Sequence, residues 1–311
     1  MRSQDNEFNS PGTTIYPLLG FAPSQINYFG TYKDFRADWI YNNNGIAENI
    51  AIESNPLWII FFRKVSYQDY ISMSYILRKC ADISLSIGNR VVVNENYKFG
   101  AGVNVNIYKQ HTPSLDIDLV TKINNLVIDK KSYLMNQYVT YKMSGDKAKA
   151  SEMKIKLKDV TREIEAEKIK LIDEYKNKHW NSGYVNVGYA FIFDYFLANT
   201  YKEFRYKTNE HVVWLHTGHG IKNKVHFSEL IRYHWYEKKI IAGINIRIGN
   251  NEKKHLYIEY LASYINNIDH HMNIGLVTDI KEKIFLNVGL NLSYGKKLDM
   301  FKPEVKINFN L

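Results

Sequence analysis

Two stretches of the chain, residues 26–108 and 183–311, alternate apolar and polar positions with a period of two. In Tyr97–Tyr108 one set of alternate positions holds Tyr97, Phe99, Ala101, Val103, Val105 and Ile107. The other holds Lys98, Gly100, Gly102, Asn104 and Asn106. Successive residues of an extended chain point to opposite faces, so such a segment is a strand with one apolar and one polar or small face. The pattern returns in Tyr184–Tyr195, where Val185, Val187, Tyr189, Phe191 and Phe193 oppose Tyr184, Asn186, Gly188, Ala190 and Asp194. It returns again in Ile240–Ile248, where five aliphatic residues oppose Gly243, Asn245 and Arg247, and in Ile284–Gly295. The spacing predicts about 14 strands, at 26–41, 46–54, 57–65, 68–78, 82–93, 96–109, 182–195, 197–207, 210–220, 224–235, 238–249, 253–265, 271–280 and 283–295, with 302–311 closing or continuing the last. Many of these are 9–13 residues long, enough for a tilted strand to cross a bilayer. Short polar links such as Asn42-Asn43-Asn44-Gly45 and Asn250-Asn251-Glu252 make the series an antiparallel meander.

Residues 114–178 follow another rhythm. Val120, Ile123, Val127, Leu134, Tyr138 and Tyr141, then Met153, Leu157, Val160, Ile164, Leu171 and Tyr175, recur at spacings of mostly three, four and seven, which reads as helix. Ser144-Gly145-Asp146 divides it into two antiparallel arms. With six strands ahead of it and a periplasmic N-terminus, this hairpin would project into the periplasm, and one strand more or fewer would put it outside the cell. It is either a self-packed insertion or a docking arm, and in the second case Leu134, Tyr138, Tyr141, Leu157, Ile164 and Leu171 are the candidate partner-binding residues.

Composition narrows the class. Of 311 residues 45% are hydrophobic and 14% aromatic, which excludes a disordered chain. The longest apolar run, Leu57–Phe62, is too short for a spanning helix. The remaining choices are a soluble β protein and a membrane barrel, whose spanning strands are only half apolar. A polar face of Gly, Asn and Ser suits a hydrated lumen. Aromatic residues at strand ends (Trp39, Tyr41, Trp58, Tyr108, Trp180, Tyr195, Trp235, Tyr236, Tyr264, Tyr294) suit the girdles of a barrel. The expected fold is therefore all-β: an antiparallel up-and-down transmembrane β-barrel over 26–311, interrupted by an α-helical hairpin at 114–178. Segment 1–25 forms an extended plug or tether. The net charge of +9 is spread along the chain without a dense basic block, which argues against nucleic acid. Met1–Glu7 has no apolar signal core, which taken literally points to a cytoplasmic protein; if the chain is exported, its leader is expected to have been removed.

Candidate chemistry is sparse. His211, His219, His226 and His234 would suit a metal if they converged, but no Cys or H-E-x-x-H pattern accompanies them, and neither a metal nor a cofactor is expected. Ser228 with His216 or His226 is a conceivable hydrolase pair, without a G-x-S-x-G to support it. Arg63, Arg78, Arg90, Arg232 and Arg247 are candidate lumen residues, either paired with Asp82, Asp194 or Glu259 or forming an anion-selective constriction. No catalytic residue is assigned.

Tyr16-Pro17-Leu18-Leu19-Gly20-Phe21-Ala22-Pro23-Ser24, followed by Tyr32–Trp39, resembles the start of the PorP/SprF family of type IX secretion membrane proteins. Tyr97–Val105, Tyr184–Tyr189 with Asp194-Tyr195-Phe196, and His211–Gly218 are similar to further stretches of that family. Ala22 stands where the family pattern has Asn, and the helical insertion is an addition to it. The resemblance implies a bacterial outer-membrane barrel that exports or anchors large cell-surface proteins such as gliding adhesins. Its implied partners are outer-membrane lipid, a secreted cargo with a C-terminal sorting domain and a periplasmic peptidoglycan-associated protein. A general porin is the alternative, and a barrel lipid hydrolase a more remote one.

Overall fold

The computed structural model describes residues 15–19, 35–41, 47–62, 72–91, 96–112, 116–197, 204–222, 224–251, 254–265, 268–281, 284–294 and 298–309. Twelve strands form one antiparallel sheet among them, each hydrogen-bonded to its sequence neighbours in the order β1 to β12. They are β1 (Phe35–Tyr41), β2 (Ala47–Ser54), β3 (Ile83–Val91), β4 (Asn96–Lys109), β5 (Tyr184–Leu197), β6 (Phe204–Ile221), β7 (Val225–His234), β8 (Lys239–Asn251), β9 (Lys254–Tyr264), β10 (Ile268–Lys281), β11 (Ile284–Tyr294) and β12 (Leu298–Phe309). Cα atoms of β1 and β12 come within 8 Å of one another, while no hydrogen-bonded register joins these two strands among the described residues.

The polarity of this sheet is inverted relative to a water-soluble one. In β9 His255, Tyr257, Glu259, Leu261 and Ser263 are buried, and Leu256, Ile258, Tyr260 and Tyr264 between them are exposed. In β5 Asn186 and Ala190 are buried while Val187 and Tyr189 are exposed, and in β8 Asn245 and Arg247 are buried while Ile244 and Ile248 are exposed. In β10 Asn273 is buried between exposed Met272 and Ile274. The two faces separate as the alternation of the sequence predicts, and the apolar set is the outer one. Inner-face residues of distant strands meet: Ala51 of β2, Ile192 of β5, Trp214 of β6, Leu230 of β7 and Leu261 of β9 share one cluster. The sheet therefore wraps round its polar and small-residue face.

Two segments expected as strands are not strands. Within 57–65, Trp58–Phe62 is a π-helical turn, here α2. Pro56 occupies the first helical turn, where its missing N–H is no loss, and Asn55 C=O accepts from Ile59 N at 3.1 Å. Within 68–78, Tyr75–Cys80 is α3, capped by Ser74, whose Oγ accepts from Leu77 N. The separate strands expected at 197–207 and 210–220 are replaced by the single β6, because Thr208-Asn209 continues the ladder against Phe193 and Asp194 of β5 rather than turning. The parts of these expected strands at 26–34 and 63–71 lie outside the described residues.

The insertion forms α4 (Ile117–Met143) and α5 (Lys147–Lys178), which pack against each other. Gly145 at φ +76° makes the turn, a backbone angle that favours glycine. Asp116 and Asp146 cap the two helices through Leu119 N and Lys149 N. Among the described residues four strands precede the hairpin, an even number, so it leaves the sheet at the end where β1 begins and β12 finishes.

Candidate functional site

The inner face is organised in two zones along the strands. The zone nearer the hairpin is polar. Strand register sets Ser228, Asn245, Glu259 and Asn273 side by side across β7 to β10. The Glu259 carboxylate accepts from Asn245 Nδ2 at 3.2 Å and Asn273 Nδ2 at 2.9 Å, and the Arg232 guanidinium lies in its field. One row closer to the hairpin, Arg247 Nη2 donates to His226 Nδ1 at 2.9 Å. Tyr184 stacks on His226 with ring centroids 5.5 Å apart, and its hydroxyl is 3.0 Å from His216 Nε2. Buried charges of this kind persist when countercharge and hydrogen bonds surround them.

Trp180, two residues beyond α5, is buried with its ring near His226, His255 and Arg247. This corrects its expected place in an outer aromatic girdle. The preceding helix returns the chain inward, and Asn181 Nδ2 fixes the re-entry by donating to Lys222 O and to Val225 O (2.8 Å). Tyr108, Trp235, Tyr236 and Tyr264 are exposed at strand ends, on both rims of the sheet. The side chains of Trp39, Tyr41, Trp58 and Tyr294 lie outside the described residues.

The other zone is apolar and occupied by the N-terminal segment. Ile15–Leu18 forms a short helix, α1, and Ile15 and Leu19 are fully buried against β2, β3 and β4. The seat is cut by glycines on the inner face: a Cβ on Gly100 would lie 2.6 Å from Ile15 Cδ1, and one on Gly88 2.5 Å from Leu19 Cδ1. Arg90 Nη1 donates to Leu19 O at 2.6 Å, satisfying a carbonyl at the helix end. Beside α1, Leu18, Lys98, Asp194, Glu210, His234 and Glu237 line a pocket of about 170 Å³, within which Lys98 pairs with Asp194 (3.8 Å) and His234 Nδ1 lies 3.7 Å from Glu210 Oε1.

The four histidines that would suit a metal if they converged lie apart. His211 and His219 are on the outer face of β6, His226 is fully buried on the inner face, and His234 is half-buried at the far end of β7. Among the described residues no group of three His, Cys, Asp or Glu side chains is placed to hold a metal. Ser228 Oγ is 3.3 Å from His226 Nδ1, two residues along one strand. That nitrogen already accepts from Arg247, so its lone pair is taken and it is poorly placed to receive the serine proton. Ser228 and His226 thus belong to the packing of the polar zone. Of the candidate lumen arginines, Arg232 and Arg247 are buried there, Arg90 holds α1, Arg78 belongs to α3 rather than to the wall, and Arg63 lies outside the described residues.

On the hairpin, Ile164 is buried and Leu134, Tyr138, Tyr141, Leu157 and Leu171 are half-buried. Leu171 packs against the cluster of Leu119, Ile123 and Ile172 that joins the two helices. The root is tied by Tyr175, whose hydroxyl donates to Asp116 Oδ2 at 2.9 Å, and by His179, whose ring lies 4.0 Å from that of His111. Burial acts to raise the Asp116 pKa, but the Leu119 amide, the Tyr175 hydroxyl and the nearby His179 outweigh it and hold the carboxyl below its ordinary 3.8. Burial, with His111 and Lys178 alongside, pushes the His179 imidazole below 6.5, and burial with the Asp116 carboxylate keeps Tyr175 protonated well above the usual range.

Comparison of the chain with protein-family models, with curated proteins and with solved structures finds no match.

Proposed function

We propose that this chain is an outer-membrane β-barrel that serves protein secretion or surface attachment without catalysing a reaction. The observation that carries the reading is the inverted polarity: aliphatic and aromatic side chains cover the outside of the sheet while Asn, Glu, Arg and His fill the inside. In water an exposed surface of this kind promotes association, whereas acyl chains are the medium it matches. Strands of 11–14 residues, as in β4, β5 and β8 to β12, are long enough to span a hydrocarbon core. The approach of β1 to β12 supports closure into a cylinder, which removes the open edges that a membrane does not tolerate. Among the described residues no helix is long and apolar enough to cross a membrane, so the strands would do so.

A general porin needs an open lumen. The seating of α1 and the side-chain rows beside it favour a filled interior, which suits a protein that holds other proteins more than one that passes solutes. The resemblance of the opening segment to the PorP/SprF family then points to type IX secretion, with a surface adhesin as cargo and a periplasmic peptidoglycan-associated protein as neighbour. With the chain ends in the periplasm, the hairpin faces that compartment too.

The test is fractionation followed by purification in mild detergent. The reading expects the protein in the outer membrane, a gel mobility that changes on boiling, and co-purification of a large secreted protein. Recovery from the cytosol overturns it. Steady conductance in planar bilayers would replace secretion with a porin role.

A further inference from the structure

We propose that the connection between β2 and β3 carries a lipid-binding foot, in which α2 and α3 seat their apolar side chains in the interfacial layer of the bilayer at the hairpin end of the sheet. The inference rests on the membrane reading above and adds to it the place where the chain grips the bilayer surface. Ile60 and Phe61 of α2 and Tyr75, Ile76 and Leu77 of α3 are exposed, between 51% and 73%. Single exposed apolar residues are ordinary on a protein surface, whereas five large ones on two short turns of one connection are not. The three of α3 are consecutive and about 100° apart around the turn, so this turn stands clear of the sheet over most of its circumference.

Continuity with the outer wall selects lipid as the occupant. The Tyr75 hydroxyl donates to Ile107 O at 3.4 Å and Lys79 Nζ to Asn106 O at 3.3 Å, which hold α3 against the end of β4. The Ile107 and Tyr108 side chains are exposed there, and Leu85 and Ile87 of β3 with Ile50 and Ile52 of β2 carry the apolar surface onward along the wall. The patch is thus the margin of the outer face. Its backbone suits a boundary between water and hydrocarbon: Ile59 N donates to Asn55 O, Arg78 N to Ser74 O and Leu77 N to Ser74 Oγ. Asn55 Nδ2 donates to Ala81 O at 3.3 Å and pinches the base of the connection. Lys79 and Lys109 approach Asp82 at 3.7 Å and 3.6 Å, which sets two ammonium groups beside the patch, where lipid phosphates would lie. Ile83 pairs with Val105 near the end of β4, so the foot and the hairpin root share one rim, and the foot fixes the depth of that rim in the bilayer.

The test uses the full chain with Cys80→Ser, reconstituted in phospholipid vesicles brominated either near the headgroup or near the chain end. A fluorophore is attached in turn through Phe61→Cys and Ile76→Cys, with Ser144→Cys at the hairpin turn and Ile258→Cys on β9 as references. Heat-dependent gel mobility checks the fold of each variant, and Leu77→Cys replaces a foot position that fails it. The expected result is quenching at both foot positions at least about threefold stronger than at Ser144. It should be greater with bromine near the headgroup, whereas the Ile258 position responds more to bromine near the chain end. Quenching at Ile258 without quenching at Phe61 and Ile76 overturns the foot and leaves the membrane reading standing. Absence of quenching at every position overturns both. Foot probes shielded from lipid and from aqueous iodide alike, in a protein that sediments as a dimer, overturn the foot in favour of a contact with a second copy.

Discussion

Ile258→Arg separates a lipid-facing wall from a water-facing one. Ile258 is the fifth of eleven residues of β9, it points outward, and its register partners on the neighbouring strands are Ile246 and Ile274. If these residues contact acyl chains, a guanidinium at this depth costs about 2–4 kcal/mol, while the same group at Tyr264, at the strand's end, costs about 0–1 kcal/mol. In water both substitutions of exposed residues stay within about 0.5 kcal/mol. The expected gap between the two variants is roughly 2–3 kcal/mol, or about 30- to 150-fold in the ratio of folded to unfolded protein. Urea unfolding in lipid vesicles, followed by tryptophan emission, measures it. The next residue obeys the opposite logic: Glu259→Ala removes the acceptor for Asn245 and Asn273 and the countercharge to Arg232, at about 3–5 kcal/mol. Small and equal effects of arginine at 258 and 264 would refute the assignment of the outer face.

Three further expectations concern α1 and the hairpin root. Gly100→Val places methyl groups where Ile15 sits, and overpacking of about 1–3 kcal/mol should release α1 before it disturbs the sheet. Hydrogen exchange should then rise at the Leu19 amide, now bonded to Ile15 O at 3.0 Å, with β4 amides unchanged, whereas unaltered protection at Leu19 would refute the seating. Asp116→Ala should loosen the start of α4 by about 0.5–2 kcal/mol, read as faster exchange at the Leu119 amide. For pH, both shifts at the root point downward. The His179 contribution is complete above 6.5 and fades as pH falls through the lowered value. That of Asp116 is complete above 3.8 and fades below it. The root should therefore loosen in two acid steps, and a root that tightens on acidification contradicts the assignment.

The faces of the sheet were legible because a period of two leaves no ambiguity where it is long. Leu256, Ile258 and Tyr260 against His255, Tyr257 and Glu259 form such a case, as do Val185, Val187 and Tyr189 against Asn186, Gly188 and Ala190. The hairpin was legible for a similar reason, with Ser144-Gly145-Asp146 marking its turn. Leu57–Phe62 was not, because six apolar residues in a row have no period, and Pro56 with the Asn55 carbonyl decides for a helical turn. The seat of α1 was also hidden. Gly88 and Gly100 read as ordinary small residues of an inner face, and nothing local says that Ile15 and Leu19 fill the space above them. Trp180 was misplaced because strand-end aromatics point to a rim by position alone, while Asn181 anchors this one inward. The carboxylate row at Glu259 depends on the register of three strands, which no single segment encodes.

The most direct examination of the outer face is a fluorophore scan along β9. Cys80, the single cysteine, is replaced by Ser, and a probe is attached in turn at residues 255–261 of protein reconstituted in brominated phospholipid. Quenching that alternates, strong at Leu256, Ile258 and Tyr260 and weak at His255, Tyr257, Glu259 and Leu261, is the predicted result. Quenching that is absent throughout, or strongest at the inward set, would contradict it.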